Sequence, residues 1–172
     1  MQDNHVTENA ERADIVKLIP ALRAFARTFC QEPADADDLV QETLLKALAN
    51  IDQFEPGTRL KSWLFTIMRN SYCTKAKKRS REVLRGDDTL FDSAAMPGEQ
   101  EWNVRIGEVG RAFQCLPDKY KEIIALIVVL GESYESAAGI CGCAVGTVKS
   151  RLNRARARLS CEMGEDDYRQ AS

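Results

Sequence analysis

Apolar side chains recur every three or four positions along most of the chain, the period of helices that bury one face. Ile15, Leu18, Ile19, Leu22, Phe25, Ala26 and Phe29 fall on one stripe. Pro20 lies within it and predicts a helix start or a kink, because proline lacks an N–H and crowds the preceding turn. The stretch EPADADD then predicts a new helix, with Asp35 as N-cap and acids in the first turn. Val40, Leu44, Ala47, Leu48 and Ile51 form its expected buried stripe. DQFEPGT breaks the pattern. A third helix is expected from about Thr58, with Leu60, Trp63, Leu64, Ile67, Ser71 and Thr74 on one side, running on into KAKKRSR. These three helices make one compact unit, residues 10–85.

The period stops after residue 85. GDDTLFDSAAMPG is acidic, carries Gly and Pro, and reads as a flexible linker over residues 86–102. A second unit spans residues 103–165. Val104, Val109, Phe113 and Leu116 predict a short helix that stops at Pro117. DKYKEIIALIVVL follows and ends at Gly131. Ser133 is expected to cap YESAAGIC, and Gly142–Cys143 to form a tight turn before GTVKSRLNRARARL, residues 146–159. Helix, short glycine-containing turn and basic helix are the signature of a helix-turn-helix. The fold class is all-α: two small helical domains joined by a flexible linker.

Composition narrows the classes. The longest apolar run, Ile123–Leu130, is far short of the roughly 20 residues of a membrane span. The polar, acidic N-terminus is neither a secretory signal nor a transit peptide, so a cytoplasmic chain without membrane contact is expected. Six scattered cysteines and one histidine, His5, lack metal-ligand spacing and indicate reduced thiols. No metal or cofactor is expected. No nucleophile–base pair or phosphate loop appears either, so no catalytic residue is assigned and the chain is read as no enzyme.

Charge is segmented. The whole chain carries a formal −2, yet residues 61–85 carry a net +7 and residues 146–159 hold five cations and no acid. Two cationic blocks on an acidic background imply two contacts with a polyanion. Projected at about 100° per residue, Val145, Val148, Leu152, Ala155 and Leu159 of the last helix share one sector and face a core. Opposite them lie Gly146, Ser150 and Asn153, flanked by Thr147 and Arg154, with Lys149, Arg151, Arg156 and Arg158 on the shoulders. Short polar groups and one arginine suit base edges in a major groove, and shoulder cations suit phosphates.

The first basic block differs. Ser62, Phe65, Thr66, Arg69, Asn70, Tyr72 and Cys73 lie away from the expected core stripe of the third helix. Rings interleaved with Arg and Asn fit a single-strand surface, on which bases stack while cations track the backbone. Arg59, Lys61, Lys75, Lys77, Lys78 and Arg79 supply those cations. Phe65 and Tyr72 packing against another helix is the equal alternative. On the second helix, Asp38, Gln41, Glu42, Leu45 and Ala49 share an outward face. An exposed leucine among acids fits a protein contact or an ordinary solvated face.

DADDLVQETLLKAL (35–48), FEPGTRLKSWLFTIMRN (54–70) and LPDKYKEIIALIVVLGESYESAAGICGCAVGTVKSRLNRARARL (116–159) resemble the extracytoplasmic-function (ECF) sigma factors of RNA polymerase. The likeness covers roughly residues 12–162, and the motifs look like the subgroup that directs the general stress response in alphaproteobacteria. It implies that the first unit melts and reads the promoter −10 element, with Thr66, Arg69, Asn70 and Thr74 at contact positions. It implies that the second unit reads the −35 element, with Lys149, Ser150, Asn153 and Arg154 at contact positions. It makes Asp38, Gln41, Glu42 and Leu45 the surface for the β′ clamp helices, with the β flap as a further polymerase contact. It also implies a small anti-sigma factor of NepR type, removed by a sigma-mimicking response regulator. Glu135-Ser136 and Gly139 depart from the family pattern. Gly139 costs its helix about 1 kcal/mol relative to Ala.

Two other classes compete. A sigma-like decoy that sequesters an anti-sigma factor has no use for two intact basic blocks. A stand-alone helix-turn-helix regulator leaves the first basic block and the exposed second-helix face without a role.

Overall fold

The computed structural model describes the backbone of residues 3–30, 32–55, 58–83 and 101–164, and the side chains within 14–30, 32–55, 58–78 and 107–164. The expected linker, residues 86–102, lies almost wholly outside the described residues. The elements are α1 (Asp3–Ala26), α2 (Pro33–Ala49), a 3-10 turn (Ile51–Gln53), α3 (Leu60–Val83), α4 (Glu101–Gln114), α5 (Asp118–Ile124), a π turn (Ala125–Val129), α6 (Tyr134–Cys141) and α7 (Val145–Glu162). No strand occurs among the described residues.

In the first domain α1 continues through Pro20, which is exposed, so the helix does not restart there. Its stripe is as expected, with Ile15, Leu22, Phe25 and Ala26 buried and Leu18 and Phe29 half-buried. α2 begins at Pro33 with Glu32 as N-cap, which puts Asp35 in the first turn instead of at the cap. Proline's fixed φ suits the first helical position and outcompetes a later start. The buried face of α2 is Ala36, Leu39, Val40, Thr43 and Ala47. Leu48, expected inside, is 44% exposed. The Thr43 hydroxyl donates to the Leu39 carbonyl at 2.7 Å, which makes a polar residue acceptable in the core.

α3 buries Leu64, Phe65, Met68 and Ser71, whereas Trp63 and Ile67 are half-buried and Thr74 is exposed. Its apolar surface is wider than a single stripe because it packs on α1 and α2 on one side and on α6 on another. Phe65 sits 4.8 Å from the Phe25 ring and is fully buried, which decides for packing over base stacking at that position. Tyr72 stacks on Phe29 at 4.5 Å.

In the second domain α5 passes directly into the π turn. There Leu130 N–H donates to the Ala125 carbonyl at 2.9 Å, and Glu132 N–H to the Leu126 carbonyl at 2.8 Å. The widened turn leaves Val128 and Val129 in solvent and brings Glu132 back into a buried position. Ser133 caps α6, its hydroxyl accepting from Ser136 N–H at 3.1 Å. Gly142 ends α6 with φ +60°, the left-handed conformation that glycine alone adopts without penalty. α7 then buries Val148, Leu152 and Ala155 against α5 and α6.

Candidate nucleic-acid interface

α7 presents a free outer face. With Val148, Leu152 and Ala155 fixed inward, the helical period turns Ser150, Asn153 and Arg154 to solvent, and all three are exposed. Thr147 is half-buried, and its carbonyl accepts from the Ser150 hydroxyl at 3.0 Å. Two of the shoulder cations lie over aromatic rings. Lys149 lies 5.7 Å from the Tyr134 ring centre on one flank, and Arg158 lies 5.5 Å from the Tyr120 ring on the other. Arg151 is half-buried and close enough to bias Glu122 electrostatically. Arg156 is exposed.

α3 carries its candidates on two faces. Asn70, Thr74, Lys75, Lys77 and Lys78 are exposed, and the side chain of Arg79 lies outside the described residues. Asn70 and Thr74 border a hollow of about 440 Å³ shared with Asn50, Gln53 and Trp63. Trp63 is expected from the sequence on the core side of α3, whereas Asn50 and Gln53 are uncharged loop-side residues that no pattern in the sequence singles out. Lys75 reaches back to Glu42 at 2.5 Å.

The other face of α3 is turned to the second domain. Arg69 pairs with Glu122, whose side chain is 6% exposed. Lys61 pairs with Glu132 at 2.7 Å, donates to the Leu130 carbonyl at 2.8 Å, and lies 5.5 Å from the Phe65 ring. Ser62 and Ser136 hydroxyls meet at 2.9 Å, and Ser136 also donates to Glu132 at 2.6 Å. Tyr72 donates to Asp118 at 3.0 Å. Thr66 donates within its own helix to the Ser62 carbonyl and lines a cleft of about 610 Å³ with Arg59, Trp63 and Gly139. Burial pushes the Glu122 carboxyl up, with the Arg69 guanidinium opposing it. Burial also works against ionisation of Glu132, but Lys61 and Ser136 outweigh it and hold that carboxyl below its ordinary value. Burial raises the Cys141 thiol to about 12, which keeps it protonated and unreactive.

On α2, Asp38 and Gln41 are exposed and Leu45 is 70% exposed. Glu42 is half-buried and neutralised from two sides, by Lys46 at 2.7 Å and Lys75, and these hold its carboxyl below the usual range. Next to Leu45 an apolar groove of about 430 Å³ runs between α1 and α2, lined by Ile15, Val16, Ile19, Leu44 and Leu48. Val16, which lies off the predicted stripe, is 62% exposed there. Among the described residues no cluster of three or more His, Cys, Asp or Glu is placed to hold a metal, and no helix is long and apolar enough to cross a membrane.

Comparison with known proteins accounts for both domains. Residues 15–82 match Sigma-70 region 2, and residues 106–159 match Sigma-70, region 4. The chain is 46% identical over 160 residues to the ECF RNA polymerase sigma factor EcfG of Rhodopseudomonas palustris, covering 91% of this chain and 88% of that one. It is 35% identical over 129 residues to the ECF RNA polymerase sigma factor SigM of Bacillus subtilis, covering 72% and 77%. Among solved structures it is similar to the Bartonella quintana sigma factor RpoE in complex with the anti-sigma factor NepR. That match has a TM-score of 0.80 and 43% identity, over 90% of this chain and 97% of that one. The chain therefore belongs to the extracytoplasmic-function sigma factors, the subunits that give RNA polymerase its promoter specificity.

Proposed function

We propose that this sigma factor reads the −35 element with the outer face of α7 and the −10 element with α3, and directs general stress response genes. The observation that carries the reading is the open face of α7, where a buried Val148–Leu152–Ala155 stripe aims Ser150, Asn153 and Arg154 at solvent on a segment of five cations and no acid. Thr147, Lys149, Arg151, Arg156 and Arg158 flank that face as phosphate contacts. Arg59, Lys61, Thr66, Arg69, Asn70, Thr74, Lys75, Lys77, Lys78 and Arg79 serve the −10 strand. Leu45 with Asp38, Gln41 and Glu42 docks on the β′ clamp helices, and the apolar groove beside Leu45 extends that surface. Exposed Val128 and Val129 are the apolar positions that the second domain offers to the β flap. Likeness to the EcfG protein supports the stress assignment. Likeness to a NepR-bound sigma factor supports a small anti-sigma factor of NepR type as the inhibitor, countered by a sigma-mimicking response regulator. The protein acts in the cytoplasm and catalyses nothing itself; the chemistry is the polymerase's.

Run-off transcription tests this reading. Core polymerase plus this protein is expected to initiate from a stress promoter, and neither alone. Leu45→Asp is expected to keep the fold, since the side chain is 70% exposed, and to abolish recovery of β′ in a pull-down. Tight binding of promoter DNA by a free dimer, with no need for polymerase, overturns the reading in favour of a stand-alone regulator.

A further inference from the structure

Glu42 has two claimants. It stands on α2 between the exposed Asp38 and Leu45, on the face assigned above to the clamp helices. Yet both of its carboxylate oxygens are already engaged within the first domain. Oε1 accepts from the Lys46 ammonium at 2.7 Å, and Oε2 faces the Lys75 ammonium of α3 at 2.5 Å. Lys46 also donates to the Ser71 hydroxyl of α3 at 2.9 Å. Lys46 and Ser71 line the same hollow as Asn70 and Thr74, two residues of the proposed −10 surface. One carboxylate at the seam of α2 and α3 therefore restrains two cations at the edge of that surface. Lys46 stands in an acidic stretch, DADDLVQETLLKALAN, so only the fold brings it to this place.

We infer that Glu42 is a positioning residue that couples two surfaces of the first domain: in the free chain it holds Lys46 and Lys75 back from a strand, and a cation of the docking polymerase takes Glu42 and releases both lysines to phosphates. This rests on the assignment of the clamp contact to α2 and of the −10 contact to α3. Asp38 and Glu42 draw a cationic partner, and with both oxygens of Glu42 occupied that partner must displace a lysine to reach it. Lys46 and Lys75 are each about half exposed, so these pairs are worth little to the fold and exchange readily. The same exposure bounds the effect: each pair is worth at most about fivefold in affinity, not orders of magnitude. Because coupling between sites is reciprocal, a bound strand favours polymerase by the factor with which polymerase favours the strand.

The test uses the full chain, first free and then as holoenzyme isolated with core polymerase. Glu42→Gln removes the anchor. Asp35→Asn is the control, removing the same charge at an exposed position about two turns earlier on α2. Both changes are made in the wild-type chain and in a Lys46→Ala/Lys75→Ala background. The probe is a short oligodeoxythymidylate carrying bromodeoxyuridine. Its photocrosslink to the sigma factor is resolved from the polymerase subunits on a gel and titrated to give an affinity. In the free chain Glu42→Gln is expected to bind the probe about fivefold tighter than Asp35→Asn. That gain is expected to vanish in the background without the two lysines. It is also expected to vanish in the holoenzyme, where polymerase has already taken Glu42 from them. If Glu42→Gln loses helical circular dichroism or does not assemble with core, Glu42→Asp takes its place, since its shorter stem keeps the charge and cannot span both lysines. No gain in the free chain, a gain that survives loss of both lysines, or a gain equally large in the holoenzyme each overturns the proposal. Failure of the underlying assignments is read separately. Unchanged recovery of β′ by Leu45→Asp would remove the clamp contact, and unchanged promoter-specific run-off by Asn70→Ala/Thr74→Ala would remove the −10 contact, whatever the crosslinks show.

Discussion

Two glycines of the helix-turn-helix show how much one residue's conformation decides. Gly142 has φ +60°, and a Cβ built there meets nothing within 4 Å. Gly142→Ala is therefore resisted by backbone alone, at about 1–2 kcal/mol for a left-handed L-residue. Gly139 sits in the interior of α6 with ordinary helical backbone, and a Cβ there also meets nothing within 4 Å. Gly139→Ala is expected to stabilise the protein by about 0.5–1 kcal/mol by removing the entropic cost of glycine in a helix. Urea melts of the two variants are expected to move in opposite directions. A Gly142→Ala midpoint equal to wild type would remove the argument from the turn. The low stability expected of Gly139 from sequence is thus a local matter of α6, and the open space beside it is the cleft between α3 and α6.

At the scale of an element, α7 separates reading from holding. Arg154 stands on the outward face beside Ser150, with the reach for a bidentate base contact. Arg158 stands on the flank and is held over the Tyr120 ring. Arg154→Ala is expected to cost about 1–3 kcal/mol on the matched −35 sequence and to relax discrimination at one position. Arg158→Ala is expected to weaken binding to all sequences alike and to reduce the salt slope by about one counterion. It is also expected to lower thermal stability slightly, because the contact with Tyr120 contributes about 0.5–1 kcal/mol. Transcription from −35 point variants over a salt series distinguishes the two, and identical profiles would contradict the division. The inward stripe of α7 was legible because a single row of apolar residues on an otherwise cationic helix has only one way to face a core. α3 was less legible. It is packed on two sides, so Phe65 reads as outward by period yet lies at the centre of the core with Phe25. The π turn at Ala125–Val129 was hidden within a run of apolar residues that offers no period to break.

At the scale of the whole molecule, the contact between domains joins residues about fifty to seventy positions apart, and no local pattern announces it. Glu122 and Glu132 look in sequence like ordinary solvated acids; only the tertiary arrangement buries them against Arg69 and Lys61. Their response to acid differs in sign. In the unfolded chain a glutamate titrates at about 4.3. Glu132 lies lower in the fold, because Lys61 and Ser136 outweigh burial, so the folded protein binds fewer protons than the unfolded one between the two values. The stability from this pair is present above about pH 4.3 and is lost as pH falls through the lower folded value. Glu122 is raised by burial, so it takes up its proton in place as pH falls and adds no loss of that kind. Glu42 is lowered by Lys46 and Lys75 within the first domain and gives an acid limb of its own. Substitution assigns the limbs. Glu132→Gln is expected to cost about 1–3 kcal/mol at neutral pH, where Lys61 loses its ionic partner. The gap between wild type and Glu132→Gln is then expected to close as the solution is acidified through the lowered folded value of Glu132, because wild type loses there what the variant has already lost. Glu42→Gln is expected to open a separate gap from wild type that also closes in acid, because Glu42 is lowered by Lys46 and Lys75. Melting temperatures of the three proteins across the acid range decide it, and a gap between wild type and Glu132→Gln that stays constant with pH would show that the Lys61–Glu132 pair does not hold the domains together through its charge.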